Sequence, residues 1–261
     1  MAEEHPEQAL WVYAVTTGLA AERLGTDRGV GGAPVRPLTE GELTALVSPV
    51  DLAEFGEEAL RRNLEDLDWL AATARAHDTV VTAAARAATA AVPLRLATVY
   101  LGEDRVRGLL AERRADFTAA LELLAGRTEW GVKAYADPDA LAEDAAAPAE
   151  GSGQGAGTAY LLRRKAQLSA REAAQREAAA HAEHLHTALA RLAVSARRHP
   201  PQDPALSRER GWMVLNGAYL VDDDRAEELA RQVEALAGTR RGVRLELTGP
   251  WPPYSFAGVV Q

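Results

Sequence analysis

Residues 139–157 read DALAEDAAAPAEGSGQGAG, and this stretch limits the fold more than any other. Beyond Leu141 it has no bulky apolar side chain, so burial there cannot offset the entropy of ordering the backbone. The chain must build its cores on either side. The composition therefore predicts a flexible linker over 139–157, between an N-terminal domain over 1–138 and a C-terminal domain over 158–261. With 261 residues in total, each part is long enough to bury a core of its own.

Composition narrows the chemistry. No cysteine is present, which excludes disulfides, thiolate metal sites and a cysteine nucleophile. A formal charge of −9 disfavours a protein that grips phosphate backbones, so nucleic acid is not an expected partner. The opening MAEEHPEQALWVYAV is acidic and reaches only a short apolar run, unlike a secretory signal. No later run has the length of a membrane span, and no lipid membrane is expected as a partner.

Strand and helix signals alternate along the chain. LWVYAVT (10–16) is apolar and rich in β-formers and reads as a buried strand. VRPLT and ELTALVS flank Glu40-Gly41 as a hairpin, with Pro37 placing its first arm at a sheet edge. From 57 to 91, Leu60, Leu64, Leu67, Leu70 and Ala71 recur at helical spacing. A break into two helices is expected near His77-Asp78, with Pro93 either ending the second or marking the boundary just after it, before LRLATVY forms a strand. One helix follows from Gly102, carrying Val106, Leu109, Leu110, Phe117, Leu121 and Leu124 on its apolar side and ending at Gly126, and then WGVKAYA returns as a strand. Past the linker, 160–198 reads as one long helix stopped by Pro200-Pro201. Strand WMVLNGAYLV, a helix over 225–237, strand VRLELTG and the tail WPPYSF complete the chain. The segment from LRLATVY to WGVKAYA echoes the one from WMVLNGAYLV to VRLELTG, which predicts one β-α-β unit per domain and an α+β fold of ferredoxin-like type.

Each chemical motif has a plainer structural explanation. Gly151–Thr158 resembles a phosphate loop but lacks the Walker lysine and follows no strand, and Gly25–Gly32 fails likewise. His181, His184 and His186 lie near Glu177 and Glu183 on the long helix, at a spacing better explained as solvated helix polarity than as a metal site. His77 beside Asp78 suits a cap or a packing feature better than a catalytic pair. Glu103-Asp104 and Asp222-Asp223-Asp224 stand where strands pass into helices, which suits capping. Arg95 is either buried and paired or turned to water. No catalytic, cofactor or metal residue emerges. Trp251, Pro252, Pro253, Tyr254 and Phe256 concentrate aromatic area on a proline-stiffened backbone, marking the tail as a packed segment and a candidate domain-docking or partner contact.

Taken in order, LWVYAVT, ELTALVS, His77 leading into AVPLRLATVY, GTAYLLRRK, GWMVLNGAYLV and the terminal LTGPWPPYSF resemble the gas vesicle GvpL/GvpF family over nearly the whole chain. The terminal motif is the most specific, because no generic propensity explains Gly-Pro-Trp-Pro-Pro-Tyr. Leu96-Ala97 departs from the Phe-Gly common at that place in the family. The resemblance implies an N-terminal ferredoxin-like domain, a C-terminal α+β domain with long helices, no catalytic residues and no cofactor. It also implies a cytoplasmic accessory protein associated with the gas vesicle, whose partners are the small apolar shell protein and other gas vesicle accessory proteins. A small-ligand-binding regulator of ferredoxin-like type is the alternative, since such modules serve many roles.

Overall fold

The computed structural model describes residues 9–26, 28–138, 140–141, 156–201 and 211–258, with 156–163 described in their backbone alone. The chain forms two compact units, one of residues 1–129 with 250–261 and one of residues 130–249. This division is not the contiguous one drawn from composition, because the C-terminal segment groups with the first unit. Leu141, counted with the linker, is fully buried among Ala136, Ala174 and Ala178. The long helix already begins at Ala156, and the linker reading of 142–155 lies outside the described residues.

The first unit is built on β1 (Ala9–Thr17), which is buried along almost its full length. Along one edge it pairs antiparallel with β3 (Leu43–Val50), itself joined to β2 (Arg36–Glu40) in the expected hairpin. Its other edge is shared by two short strands. β4 (Ala90–Pro93) pairs with residues 14–17 and β5 (Val99–Leu101) with residues 9–11. Between them the Leu94 amide donates to the Tyr13 carbonyl at 2.9 Å and the Val12 amide to the Thr98 carbonyl at 2.9 Å. The helix ends at Ala87, and Pro93 lies beyond that boundary as the last residue of a strand, at a sheet edge where its missing N–H costs no ladder bond.

Helices cover both faces of this sheet. Short helices α1 (Leu52–Phe55) and α2 (Glu57–Asn63) lead into α3 (Leu67–Ala87), which runs unbroken through His77. The expected break falls earlier, where Asp66 caps α3 by accepting from the amides of Asp68 and Trp69. Thr73, His77, Val80, Val81, Ala84 and Ala87 form its buried stripe. Instead of one helix after Gly102 there are two, α4 (Gly102–Glu112) and α5 (Arg114–Leu124), hinged at Arg113 where φ/ψ is −103/19. Glu103 stands in the first turn of α4 but makes no cap; its carboxylate pairs with Arg36 at 2.7 Å and Arg107 at 3.3 Å.

The second unit's sheet has the order β7-β8-β6-β9. Its strands are β6 (Arg127–Ala136), β7 (Ser195–Arg198), β8 (Trp212–Asp222) and β9 (Val243–Trp251). Helices α6 (Ala156–Ala190) and α7 (Ala226–Ala237) bury Leu185, Leu189, Leu229, Val233 and Leu236 against Val132, Leu215 and Tyr219. The expected helix over 160–198 stops at Ala190. Ser195 and Ala196 pair with Leu220 and Tyr219 instead, so ladder bonds available in the fold outweigh a helical sequence. Asp223 and Asp224 open a 3-10 turn without a side-chain cap.

The α+β class is as expected, but the β-α-β-β-α-β order is found over β6 to β9 in the second unit. The first unit has three strands before its first long helix. The internal echo does not give one β-α-β unit per domain either, because β5 lies in the first sheet and β6 in the second.

Ala97, in the turn between β4 and β5, has φ +66°, a left-handed backbone that a Cβ disfavours. It belongs to the Leu96-Ala97 pair, the place where the sequence departs from the pattern it otherwise resembles. Ala97→Gly is expected to stabilise the protein by about 1 kcal/mol, read as a higher denaturant midpoint at unchanged slope.

Candidate functional site

The polar centre of the first unit lies between β1 and α3. Trp11 projects from β1 toward α3, and a shift in the β1/β3 register between Val12 and Ala14 marks a bulge at Tyr13, so that Tyr13 and Ala14 both join Trp11 in one cluster. The Trp11 indole donates to Nδ1 of His77 at 2.9 Å, and the Leu94 carbonyl lies 3.2 Å from Nε2. With Nδ1 accepting, Nε2 carries the proton and donates to Leu94, so the imidazole is neutral. Burial pushes its pKa down to about 4, against a smaller upward pull from the Leu94 carbonyl.

Aromatic rings surround this histidine. Tyr13 stacks on it at 5.4 Å between centroids, and Phe55 meets Trp11 edge-on at 5.7 Å. The Tyr13 hydroxyl accepts from the Val30 amide at 2.8 Å and shares a hydrogen bond with Ser48. Gly29 leaves room for that hydroxyl, which a Cβ there would strike. His77 is therefore a packing residue, as its sequence context suggested.

The C-terminal tail reaches the same region. Pro252, Pro253 and Phe256 are buried, whereas Trp251 is 48% and Tyr254 40% exposed. Two features fix the segment. The Ser255 amide and hydroxyl donate to the two oxygens of the nearly buried Glu129 carboxylate at 2.8 and 2.6 Å. Tight turns bring the Tyr254 amide to the Pro252 carbonyl at 2.8 Å and the Phe256 amide to that of Pro253 at 3.1 Å. The Tyr254 ring lies 6.5 Å from that of His77 and its hydroxyl 3.5 Å from the Asp78 carboxylate. Burial, then Asp78, raises the Tyr254 pKa, so the phenol stays protonated. The tail is packed, as expected, but its side chains divide into a buried base and a half-exposed aromatic pair. Glu129 was not legible as its anchor: a lone acid in RTEWG carries no signal of a partner 126 residues away.

The other candidates separate. His181 and His184 stack at 6.4 Å, but Glu177 pairs with Arg240 at 2.5 Å and Glu183 with Arg198 at 2.6 Å. His186 Nδ1 lies 3.0 Å from the Tyr219 hydroxyl. Burial first, then nearby positive charge, lowers the pKa of His181 and of His186. Among the described residues no group of three or more acids and histidines is placed to hold a metal ion. Arg95 is exposed.

Two outcomes are expected. An exposed imidazole protonates near 6.5, and folded His77 only near 4. The unfolded chain therefore takes up the proton first, and stability present above 6.5 is lost as pH falls toward 4, by on the order of 3 kcal/mol. His77→Gln, which keeps an acceptor for Trp11, should flatten that stretch of a stability-against-pH curve. Phe256→Ala should cost about 3–4 kcal/mol in denaturant unfolding, whereas Trp251→Ala should stay within about 1 kcal/mol.

Comparison with known proteins agrees with this architecture. Residues 9–258 match the family model described as gas vesicle synthesis protein GvpL/GvpF. Gas vesicle protein L of Streptomyces sp. (strain CB03234) is 44% identical over 96% of this chain and 93% of its own length. Gas vesicle protein F of the same organism is 30% identical over 90% of this chain and 92% of its own. The crystal structure of GvpF from Anabaena sp. PCC7120 shares the fold with a TM-score of 0.72 at 20% identity, covering 97% of this chain and 98% of that one. GvpF from Microcystis aeruginosa gives 0.67 at 18%, covering 95% and 98%. No helix among the described residues is long and apolar enough to cross a membrane. A match over this span, together with 44% identity to a gas vesicle protein, establishes that the chain belongs to the gas vesicle synthesis protein GvpL/GvpF family.

Proposed function

We propose that this chain is a cytoplasmic accessory protein of gas vesicle assembly, which binds the small apolar shell protein and keeps it from aggregating while vesicles nucleate and grow. Family membership gives the gas vesicle role. The observation that carries the binding reading is the tail. Trp251 and Tyr254 hold aromatic surface in solvent on a backbone fixed by Pro252, Pro253, Phe256 and the Glu129–Ser255 hydrogen bonds. Rigid, half-exposed aromatics lose little entropy on contact and are the side chains that dominate binding energy at interfaces. Binding works by covering apolar surface, needs no nucleotide and involves no catalysis. It survives high salt, because screening weakens exposed ion pairs but not apolar burial.

A second reading, a small-ligand regulator, draws on a groove of about 410 Å³ lined by Leu19, Leu24, Val35, Pro37 and Leu46. One experiment separates the two. Denatured shell protein is diluted from denaturant into buffer with or without this protein, and light scattering is followed at low and high salt, with and without ATP. The protein is expected to suppress scattering at stoichiometric amounts regardless of salt or ATP, and the Trp251→Ala/Tyr254→Ala variant to need several-fold more. Unchanged scattering, with no complex recovered by pull-down, overturns the shell-binding reading and favours the groove.

A further inference from the structure

Two surface features with opposite charge and matching apolar content stand out. The first lies on α1 and α2. Between Asp51 and Asp68 the chain carries seven acids and two arginines. A groove of about 370 Å³ opens there, with Leu52, Ala53 and Ala59 among its apolar lining and Glu57, Glu58 and Arg62 among its charged lining. Leu52 is 47% exposed. Glu57 and Glu58 are exposed, and Glu57 already bonds Arg61 at 2.9 Å.

The second lies near the start of α6, where every side chain from 164 to 169 is exposed. Leu168 is 57% exposed there. On a helix its neighbours three residues away are Lys165 and Arg171, both exposed, with Glu172 four residues on. From 164 to 171 there are three cations and no acid, in a chain of net charge −9. An exposed leucine between two cations on a helix is the counterpart of a leucine-walled groove with two carboxylates at its rim.

We infer that these are two halves of one self-association contact, in which Leu168 of one molecule enters the α1–α2 groove of a second copy. Lys165 and Arg171 then meet Glu57 and Glu58, and the leucine contributes apolar burial while the charges set orientation. Because the halves are different surfaces, the contact is head-to-tail, and a pair of molecules so joined leaves one groove and one Leu168 face free. Such contacts close into rings or extend as open chains, and do not stop at a two-fold dimer. The inference is independent of shell binding and involves neither Trp251 nor Tyr254.

Sedimentation of the full chain alone, with no shell protein, tests it. In about 50 mM salt the weight-average mass is expected to rise past the dimer with protein concentration, and to fall toward the monomer in about 500 mM salt. Leu168→Ser should weaken association about tenfold or more, since the burial of one leucine is worth that factor. Lys165→Glu/Arg171→Glu and Glu57→Lys/Glu58→Lys should each abolish growth, while an equimolar mixture of the two, whose charges are again complementary, should restore it. Thermal melting of each variant confirms that it is folded. A mass fixed at the monomer at low salt overturns the inference, as does association that survives either reversal or fails to return on mixing. None of these outcomes bears on shell binding.

Discussion

The hydrogen bond from the Trp11 indole to a neutral His77 is the constraint on which the first unit depends. β1 is covered by helices on both faces, so a polar group beside it must find a protein partner or bear the full cost of desolvation. Trp11 and His77 satisfy one another, and the Leu94 carbonyl takes the remaining imidazole proton. That arrangement fixes the rotation of α3, because only one face of the helix presents residue 77. It also fixes the path after β4, because Leu94 must bring its carbonyl to the ring while its amide bonds Tyr13. The bulge at Tyr13 and the absence of a side chain at Gly29 follow from the same packing.

Surface charge contributes differently. The Arg36–Glu103–Arg107 group joins β2 to α4, but its members are roughly 40% exposed, and pairs of that kind add little stability. Glu103 ionises more readily for having Arg36 beside it. The Glu129 carboxylate is another matter. It is nearly buried, and the Ser255 amide and hydroxyl satisfy both its oxygens, so it specifies where the terminal segment sits as well as adding energy. Around that anchor the prolines stiffen the chain, and Phe256 supplies the apolar area.

Much of the local structure could be read directly. The β1 run, the β2–β3 hairpin with its edge proline, α7 and the packed tail follow from periodicity, turn chemistry and aromatic content. The misreadings share a cause. Helical composition at 195–198 gave way to pairing with β8, and the β4 and β5 strands are too short to show a period of their own. His77 looked like a break because a polar pair interrupts the apolar pattern. The helix continues because Trp11, far away in sequence, supplies the partner that makes a buried imidazole tolerable.

The sequence by itself determined the α+β class, the apolar faces of most elements, the lack of thiol chemistry and the resemblance that family membership made firm. These are properties of composition and of contacts between residues near one another in the chain. Only the tertiary structure decided that residues 250–261 belong with the first unit, that β5 and β6 enter different sheets, and that Trp251 and Tyr254 stay half in solvent while Phe256 is buried. Those outcomes depend on pairings such as Glu129 with Ser255 and Trp11 with His77, between residues 126 and 66 positions apart. Chain entropy opposes such pairings and no local propensity encodes them, so they appear only when the whole fold brings both partners to one place.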